Sequence, residues 1–268
     1  MSERPRRSWQ EMTTAEVGRL APERVVAVLP AGAIEQHGPH LPLSVDADIA
    51  AGILARALER VPAEVPVTAL PLLSIGASEE HADFPGTLSL SAETIIETVV
   101  GIGANLARAG VRRLAILNAH GGQVHALEIA ALRLRRLHRM LVVPANTYDL
   151  YDAAALFPAE EVRIGIHGGA VETSIMLHLK PEAVRMDAAR RFDSATERMA
   201  RDHRHLSPQG RTGFAWMSQD LNPDGVVGDA RAADAARGKA LVEEAAGKLA
   251  SLLAEMASAP LDILKDRS

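Results

Sequence analysis

Residues 25–40 read VVAVLPAGAIEQHGPH and join an apolar run to a group of polar side chains. The Val-rich part, residues 25–29, is closed by Pro30 and is typical of a strand buried on both faces of a parallel sheet. Open α/β sheets bind their ligands beyond the carboxyl ends of such strands. The polar residues that follow Pro30 are therefore predicted to lie at a binding edge of the sheet.

Strands and helices are predicted to alternate along the rest of the chain. Extended segments are predicted at residues 65–73, 111–117 and 140–145. The first predicted helix begins near Asp46, which is a candidate cap, and ends before Pro62. A second helix is predicted from after Ser91 to Gly110, and a third after the turn at residues 118–122. Two more are predicted at residues 173–179 and from about residue 232 to 256. This pattern predicts an α/β fold, a three-layer α/β/α sandwich with a mainly parallel sheet, in a single domain over residues 1–268.

The stretch from residue 201 to residue 229 is rich in Gly, Pro and Asn and is predicted to be an extended loop region. So long a loop is uncommon unless it serves a site or an interface. Trp216 lies in this loop and Trp9 lies near the start of the chain. Each tryptophan is expected either to line a pocket or to pack in the core, and packing is the simpler interpretation.

Composition excludes several classes of function. A formal net charge of −5 and an aromatic content of 3% argue against a nucleic-acid partner. The chain has no Cys, so any metal would need nitrogen and oxygen ligands. No apolar run approaches the roughly 20 residues that span a bilayer, and the polar start lacks the apolar core of a secretory signal. We therefore expect a cytoplasmic protein with no membrane partner.

Four potential metal ligands lie close together in the first polar cluster. Glu35, His37, His40 and Asp46 fall within 12 residues, and Gly and Pro residues between them predict an irregular loop. A polar turn whose histidines cap backbone groups explains this cluster equally well. The cluster alone therefore leaves both interpretations open.

Two later clusters favour the metal site. His120 follows a predicted strand and precedes two glycines, although an ordinary glycine-rich turn would look the same. His167 precedes a predicted helix, in which Glu172 shares a segment with apolar residues. A buried carboxylate is costly unless it is paired or bound to a metal. Three separated clusters of His and carboxylates in one domain therefore favour shared coordination.

Four blocks of the sequence resemble one known family. They are residues 32–42 (GAIEQHGPHLP) followed by Asp46, residues 80–89 (EHADFPGTLS), residues 118–122 (NAHGG) and residues 167–174 (HGGAVETS). The segment at residues 225–229 (GVVGD) adds to the likeness. In this order the blocks resemble the signature of the creatininase family of amidohydrolases.

The resemblance implies a site with two divalent metal ions. It implies that Glu35 and His120 bind one ion, that His37 and Glu172 bind the other, and that Asp46 bridges both. Such nitrogen and oxygen donors suit Zn²⁺ or Mn²⁺, with Fe²⁺ as a further candidate. A water shared by two cations becomes a nucleophile near neutral pH, while one ion polarises the amide carbonyl. The resemblance also implies a homo-oligomer, a hexamer in this family.

The sequence also offers candidate residues for catalysis, for substrate binding and for support of the site. His167 matches a catalytic histidine of the family, and a neutral-range pKa suits proton delivery to the leaving nitrogen, whereas a solvated histidine near a helix start is the alternative. Ser78 matches a serine that contacts the substrate. His40 and His81 are expected to support the site or to be structural, and His125 to face either the site or the solvent.

The chain departs from the creatinine-hydrolysing members at several positions. Gly122 stands where those members carry a glutamate implicated in water activation, and Gly121 where they carry an aromatic residue that contacts creatinine. Arg163 and Ile164 replace a Trp-Asp pair. Creatinine is therefore not the favoured substrate, and the wider, less anionic pocket suits a larger one.

Other branches of the family fit the glycine-rich third block better. They include peptidases that trim the mycofactocin precursor and deformylases that act on formamidopyrimidine intermediates. We therefore predict hydrolysis of an amide-like C–N bond in a cyclic amide, a formamide or a peptide, with a small-molecule or peptide amide as the substrate. The alternatives are creatinine amidohydrolase proper, a mycofactocin-precursor peptidase, and a non-catalytic protein that binds a metal or ligand on the same fold.

Overall fold

A four-stranded parallel sheet forms the middle layer in the computed structural model, which describes residues 7–210 and 213–265. In chain order its strands are β1 (Val26–Ala31), β2 (Val67–Ala69), β3 (Arg113–Asn118) and β4 (Leu141–Asn146). Their order in the sheet is β2-β1-β3-β4. Ala31 and Asn118, at the carboxyl ends of β1 and β3, are paired neighbours. The loops that follow these two strands therefore start side by side.

Helices account for most of the remaining regular structure. They are α1 (Thr14–Val17), α2 (Val45–Arg60), α3 (Ala92–Arg108), α4 (Val124–His138), α5 (Ala159–Ile164), α6 (Ala170–Leu179), α7 (Ala195–Asp202), α8 (Ser218–Leu221) and α9 (Ala235–Ser258). Two short antiparallel strands, β5 (Arg191–Phe192) and β6 (Gly228–Asp229), pair outside the main sheet. Among the described residues, none of the helices has both the length and the apolar character that crossing a bilayer requires.

The two faces of the sheet are covered by different helices. Val26 and Val28 of β1 pack in a core cluster with α2, α6 and α9. Ala27 and Leu29 point to the opposite face and pack with α3 and α4. Successive side chains of a strand alternate between faces, so an apolar run such as β1 is buried from both sides. The predicted three-layer α/β/α sandwich with a parallel sheet is confirmed.

Prolines shift the predicted strand ends. β1 continues through Pro30 to Ala31 rather than ending at Leu29, because these two residues still pair with Leu117 and Asn118 of β3. The predicted extended segment at residues 65–73 contains only the three-residue strand β2. Pro66 and Pro71 flank that strand and have no N–H to donate to a ladder, so the regular pairing stays short.

The prediction that Asp46 caps its helix is wrong. Helix α2 begins at Val45, with Ser44 as the residue before it, so Asp46 lies inside the first turn. Its side chain is buried, whereas Ser44 Oγ donates to Asp48, which is partly exposed. The first turn of α2 therefore presents one carboxylate to the protein interior and a second one away from it.

Several elements were not predicted. No pattern in the sequence predicted a helix at α5 or α7, or a strand pair at β5 and β6. The predicted loop at residues 201–229 is largely irregular, but it contains the end of α7, the short helix α8 and β6, and its residues 211–212 lie outside the described residues. Trp9 packs against the core cluster between the sheet and α3, which confirms the packed interpretation for this residue.

Helix α9 contacts α6 closely at Gly238. A Cβ at this position would overlap the carbonyl oxygen of Ser174, whereas a Cβ at Gly247 in the same helix would meet only the flexible end of Arg60, at 3.0 Å. Because backbone atoms cannot give way as a side chain can, we expect Gly238→Ala to lower the free energy of unfolding by about 1–3 kcal/mol. Gly247→Ala should instead raise it by up to about 1 kcal/mol, since Ala favours helix. Urea unfolding of both variants measures the difference, and equal effects would contradict this packing.

Candidate active site

A pocket of about 510 Å³ opens at the carboxyl edge of the sheet. The loop after β1, the turn after β3 and the first turns of α2 and α6 all contribute to it. Four of the five predicted metal ligands line this pocket: Glu35, Asp46, His120 and Glu172. His37, the fifth, is fully buried beside them. The residues that the sequence analysis grouped from three separate clusters therefore do lie together.

One group of ligand atoms is formed by Glu35, Asp46 and His120. The Nδ1 atom of His120 lies 3.2 Å from Glu35 Oε2 and 3.2 Å from Asp46 Oδ2. All three side chains are at least 97% buried. One ligand atom from each residue lies within 4.8 Å of the others, a spacing that a single metal ion can bridge.

A second group shares Asp46 with the first. His37 Nε2 lies 3.4 Å from Asp46 Oδ1 and 3.8 Å from Glu172 Oε2, and the three residues again offer atoms within 4.8 Å of one another. The two oxygens of Asp46 thus face different histidines, Oδ1 towards His37 and Oδ2 towards His120. A carboxylate in this position is suited to bridge two cations.

Backbone carbonyls determine which nitrogen of each histidine carries the proton. His37 Nδ1 donates to the carbonyl oxygen of Glu35 at 3.1 Å, and His120 Nε2 donates to the carbonyl oxygen of Ala77 at 2.9 Å. The other nitrogen of each ring then points its lone pair at the carboxylates. Among the described residues, His37 Nε2 and Asp46 Oδ2 are buried without a hydrogen-bond partner. Histidines held in this way by a carbonyl are typical metal ligands, and the donor set fits divalent cations.

The negative charge of the carboxylates in this cluster also favours the binding of protons or cations. Burial lowers the pKa of His37, but the Asp46 carboxylate, 3.4 Å from its Nε2, and the charges of Glu172 and Glu35 raise it to about 9. Burial raises the pKa of Glu172 and the charge of His37 lowers it; with the neighbouring Asp46 and Glu35 carboxylates, the result is about 7. Without metal, this arrangement binds protons because three carboxylates meet in a space screened from water.

His167 lies against this cluster. Its ring centroid is 4.2 Å from that of His37 and 4.2 Å from that of His81. Its Nε2 donates to the carbonyl oxygen of Gln36 at 2.8 Å, so Nδ1 carries the lone pair, 3.7 Å from Glu35 Oε1. Burial lowers the pKa of His167 well below its usual range, and the charges of His37 and His81 lower it further. The ring is therefore neutral and presents a proton acceptor to the cluster.

Ser78 is buried beneath the site. Its hydroxyl donates a short hydrogen bond to Glu35 Oε2. The side chain has no measurable exposure and does not line the pocket. This geometry orients the Glu35 carboxylate, and the predicted contact between Ser78 and a substrate stays a prediction.

Gln36 holds two loops of the site together, a role that the sequence analysis missed. Its side-chain amide donates to the carbonyl oxygen of Gly225 at 2.6 Å and to His81 Nδ1 at 2.8 Å, and its side-chain oxygen accepts from the amide of Gly38. Gly225 has φ +74°, and a Cβ there would lie 2.6 Å from the Gln36 amide group. Two features of the sequence pointed to this contact: Gln36 lies between two candidate ligands, and Gly225 begins the GVVGD segment. No spacing in the sequence indicated that these two features would meet.

The structure also locates three histidines that lie outside the proposed ligand set and the proton path: His40, His81 and His125. His40 Nε2 contacts Thr173 Oγ1 at 3.0 Å and the ring stacks on Phe192, so His40 is structural. His81 lines the pocket with Nε2 3.6 Å from Glu35 Oε1, and it supports the cluster. The side chain of His125 is 93% exposed, so it faces the solvent.

A buried glutamate in α5 supports the loop before α6. Glu161 accepts hydrogen bonds from the amides of Ala170 at 2.7 Å and Asp229 at 2.8 Å. Gly168 in this loop has φ +66°, and its amide donates to Glu172 Oε2 at 2.6 Å. These contacts position Glu172 from two sides. Glu161 was not predicted as a site residue, because nothing nearby in the sequence marks its partners.

The outer wall of the pocket is aromatic and apolar. Tyr148, Tyr151, Ile166 and Trp216 line it. The indole N–H of Trp216 donates to the carbonyl oxygen of Pro208 at 2.9 Å, which fixes the ring within the long loop. Trp216 is thus a pocket residue, so the simpler packed interpretation does not hold for it, and this part of the loop serves the site.

Comparison with known proteins agrees with this geometry. The family model described as creatinine amidohydrolase matches residues 10–253. The mycofactocin precursor peptide peptidase of Mycolicibacterium smegmatis is 32% identical over 221 residues, covering 82% of this chain and 80% of that protein. The creatinine amidohydrolase of Pseudomonas putida is 34% identical over 196 residues, covering 67% and 72% of the two chains.

Solved structures show the same fold. A creatininase described with Mn superposes with a TM-score of 0.77 at 27% identity and covers 95% of this chain and 100% of that one. A creatininase variant described as Zn-Zn type gives a TM-score of 0.75 at 28% identity, with 95% and 99% coverage.

A parallel sheet with clustered His and carboxylate side chains at its carboxyl edge, together with these relatives, defines a hydrolase. The chain belongs to the creatininase family.

Proposed function

We propose that this protein hydrolyses an amide-like C–N bond with two divalent metal ions, within one amidohydrolase domain over residues 1–268. The observation that carries the proposal is the pair of three-residue groups that share Asp46. One ion would be held by Glu35, His120 and Asp46, and the other by His37, Glu172 and Asp46. Three carboxylates carry more negative charge than one divalent ion offsets, whereas two ions offset it and leave one positive charge over.

The donor set narrows the choice of metal. Two imidazole nitrogens and three carboxylates suit Zn²⁺ or Mn²⁺ and admit Fe²⁺. The two solved creatininases described with Mn and as Zn-Zn type support the same choice. When bound, such ions would acidify a water molecule and stabilise the charge that develops on the carbonyl oxygen.

The protein's own residues supply the proton path. His167 presents an unprotonated Nδ1 to the cluster, so it can take the proton of the attacking water and deliver it to the leaving nitrogen. The hydrogen bond from its Nε2 to Gln36 keeps the ring in this orientation. Ser78 holds the Glu35 carboxylate in place from below. The aromatic wall shields the reacting amide from bulk water.

The pocket supports three classes of substrate: cyclic amides, formamides and peptides. Its apolar wall suits a carbon-rich group beside the scissile bond, and Gly121 leaves open space along the pocket floor. Relatives are named as a mycofactocin precursor peptide peptidase and as a creatinine amidohydrolase, which supports keeping both large and small amides as candidates. Trimming of a peptide and hydrolysis of creatinine itself are the two particular alternatives.

A substrate screen tests the proposal. The metal-loaded protein is incubated with creatinine and other lactams, with N-formyl compounds and with short peptides, and cleavage is followed by mass spectrometry before and after chelation. We expect hydrolysis of at least one class, lost on chelation. Tight binding of a ligand without cleavage of any amide would instead support a non-catalytic binding protein, a reading that the presence of His167 disfavours.

Two further expectations accompany the proposal. We propose a homo-oligomer, because α4 carries a stripe of exposed apolar side chains, Ile129, Leu132 and Leu137, that a partner subunit could cover. A hexamer is the state that the family resemblance implies. The cytoplasmic location stays a prediction.

A further inference from the structure

Glu80 places a fourth carboxylate in the pocket, beside the proposed ligand set. Its side chain is 20% exposed, and its Oε1 lies 3.5 Å from His120 Nε2. His120 Nε2 already donates its hydrogen to the carbonyl oxygen of Ala77 at 2.9 Å. Glu80 is therefore close to the proposed metal centre, but its carboxylate remains open to a group that enters the pocket.

Gly122 leaves the space that the Glu80 carboxylate occupies. A Cβ at position 122 would overlap Glu80 Oε1 and would lie 2.7 Å from His120 Nε2. The φ of Gly122 is not in the left-handed region, so the backbone does not itself require glycine here. A side chain at this position would therefore displace the Glu80 carboxylate from its place beside His120.

Among the described residues, His120 is the basic side chain within ion-pair distance of Glu80, and no Lys or Arg balances its charge. Within the part of the chain that the structure describes, Glu80 forms no ion pair with Lys or Arg, and the pocket lining contains neither. A carboxylate that is mostly removed from water is stabilised by a cationic or N–H partner, and is costly without one. The incoming ligand is the group that can provide this partner.

We propose that Glu80 is a specificity-determining residue that binds an ammonium group of the substrate next to the scissile amide. Gly122 makes this possible because it leaves the carboxylate room beside His120. The inference rests on the proposed function, since the ions would hold the amide end of the same ligand. It names the substrate class more closely: an amide with an amine near the bond to be cleaved.

Two isosteric hydroxamates test this inference by binding alone. Glycine hydroxamate and propionohydroxamate chelate metal ions through the same group, but only the former carries an amine. Calorimetry with the Zn²⁺-loaded protein should show glycine hydroxamate binding about 10-fold more tightly, as expected for one charge-assisted contact. In Glu80→Gln this preference should disappear, while metal content and the affinity for propionohydroxamate stay unchanged.

Two further variants test whether the preference for glycine hydroxamate depends on the Glu80 carboxylate itself. Glu79 is adjacent in sequence and exposed, so Glu79→Gln should keep the preference. Gly122→Ala should lose it, because the new Cβ takes the position of the Glu80 carboxylate.

Each outcome supports or overturns the inference. Equal binding of both hydroxamates by the unmodified protein would overturn the role of Glu80 and leave the metal site standing. Metal loss in Glu80→Gln would make Glu80 a ligand and overturn the inference as well. Failure of both hydroxamates to bind the Zn²⁺-treated protein would overturn the proposed metal site, and this inference with it.

Discussion

Replacing Asp46 with asparagine is expected to lower kcat/KM by roughly 10³-fold and to strip the protein of bound metal. The two oxygens of Asp46 face different histidines, at 3.4 Å from His37 and 3.2 Å from His120. Asparagine keeps the size of the side chain but removes the charge and one of the two oxygens that would bridge the proposed ions. Both proposed ion sites are therefore weakened by one change, which no other single substitution in the cluster achieves.

Asp48 provides a matched control on the same turn of α2. Its side chain pairs with Lys180 and Ser44 and lies outside the pocket. Asp48→Asn should leave metal content and kcat/KM close to those of the unmodified protein, with at most a small loss of stability. Elemental analysis and steady-state kinetics measure both properties. Full metal occupancy in Asp46→Asn would show that the ligand assignment is wrong.

His167→Ala is expected to lower kcat by about 10²-fold or more while the bound metal remains. The unprotonated Nδ1 of His167 lies 3.7 Å from Glu35 Oε1. Of the other described histidines in the pocket lining, His120 is a proposed metal ligand, and the Nδ1 of His81 accepts from Gln36. Removing the ring takes away the proton acceptor but none of the five proposed ligands. The loss should therefore appear in turnover rather than in metal binding.

The metal content of His167→Ala distinguishes a role of His167 in proton transfer from a role as a metal ligand. Glu35, His37 and His167 also offer three atoms within 4.8 Å of one another, so His167 is close enough to serve as a ligand. Loss of one ion in His167→Ala would assign it that role, and unchanged kcat would remove it from the mechanism. His125→Ala, at a histidine whose side chain is 93% exposed, should change neither quantity.

The sequence could predict that the candidate ligands lie close together where strand order brings residues to one edge. Glu35 follows β1 and His120 follows β3, and these strands are neighbours in the parallel sheet, so both side chains emerge at the same edge. Glu172 lies in the first turn of α6, which packs on the same face as α2. Family resemblance then paired each residue with the partner beside which it lies.

Other contributions depend on contacts between loops that are far apart in sequence. Gln36 meets Gly225 across 189 residues, and Glu161 meets Asp229 across 68. Neither pair leaves a periodic or spacing signal. The position of Glu80 beside Gly122 likewise follows from how the loop after β2 folds over the turn after β3. Such contacts could not be predicted, because tertiary packing alone brings these segments together.

The first polar cluster, at residues 35–46, shows both what the sequence could predict and what it could not. Glu35 and His37 are two residues apart, yet each belongs mainly to a different group of ligand atoms. His40, in the same run, turns away and packs against Phe192 and Thr173. The backbone carbonyl of Glu35 holds the ring of His37, a contact that depends on the exact turn of the loop. Residue types alone therefore identified the cluster but could not sort its members.

The central claim is that two metal ions per chain are required for amide hydrolysis. The most direct test is to titrate the metal-free protein with Zn²⁺ while measuring bound metal and hydrolysis of the best substrate from the screen in the same samples. We predict no hydrolysis without metal, and activity that rises until two ions are bound per chain. Hydrolysis by the metal-free protein, or full activity reached with a single bound ion, would contradict the account.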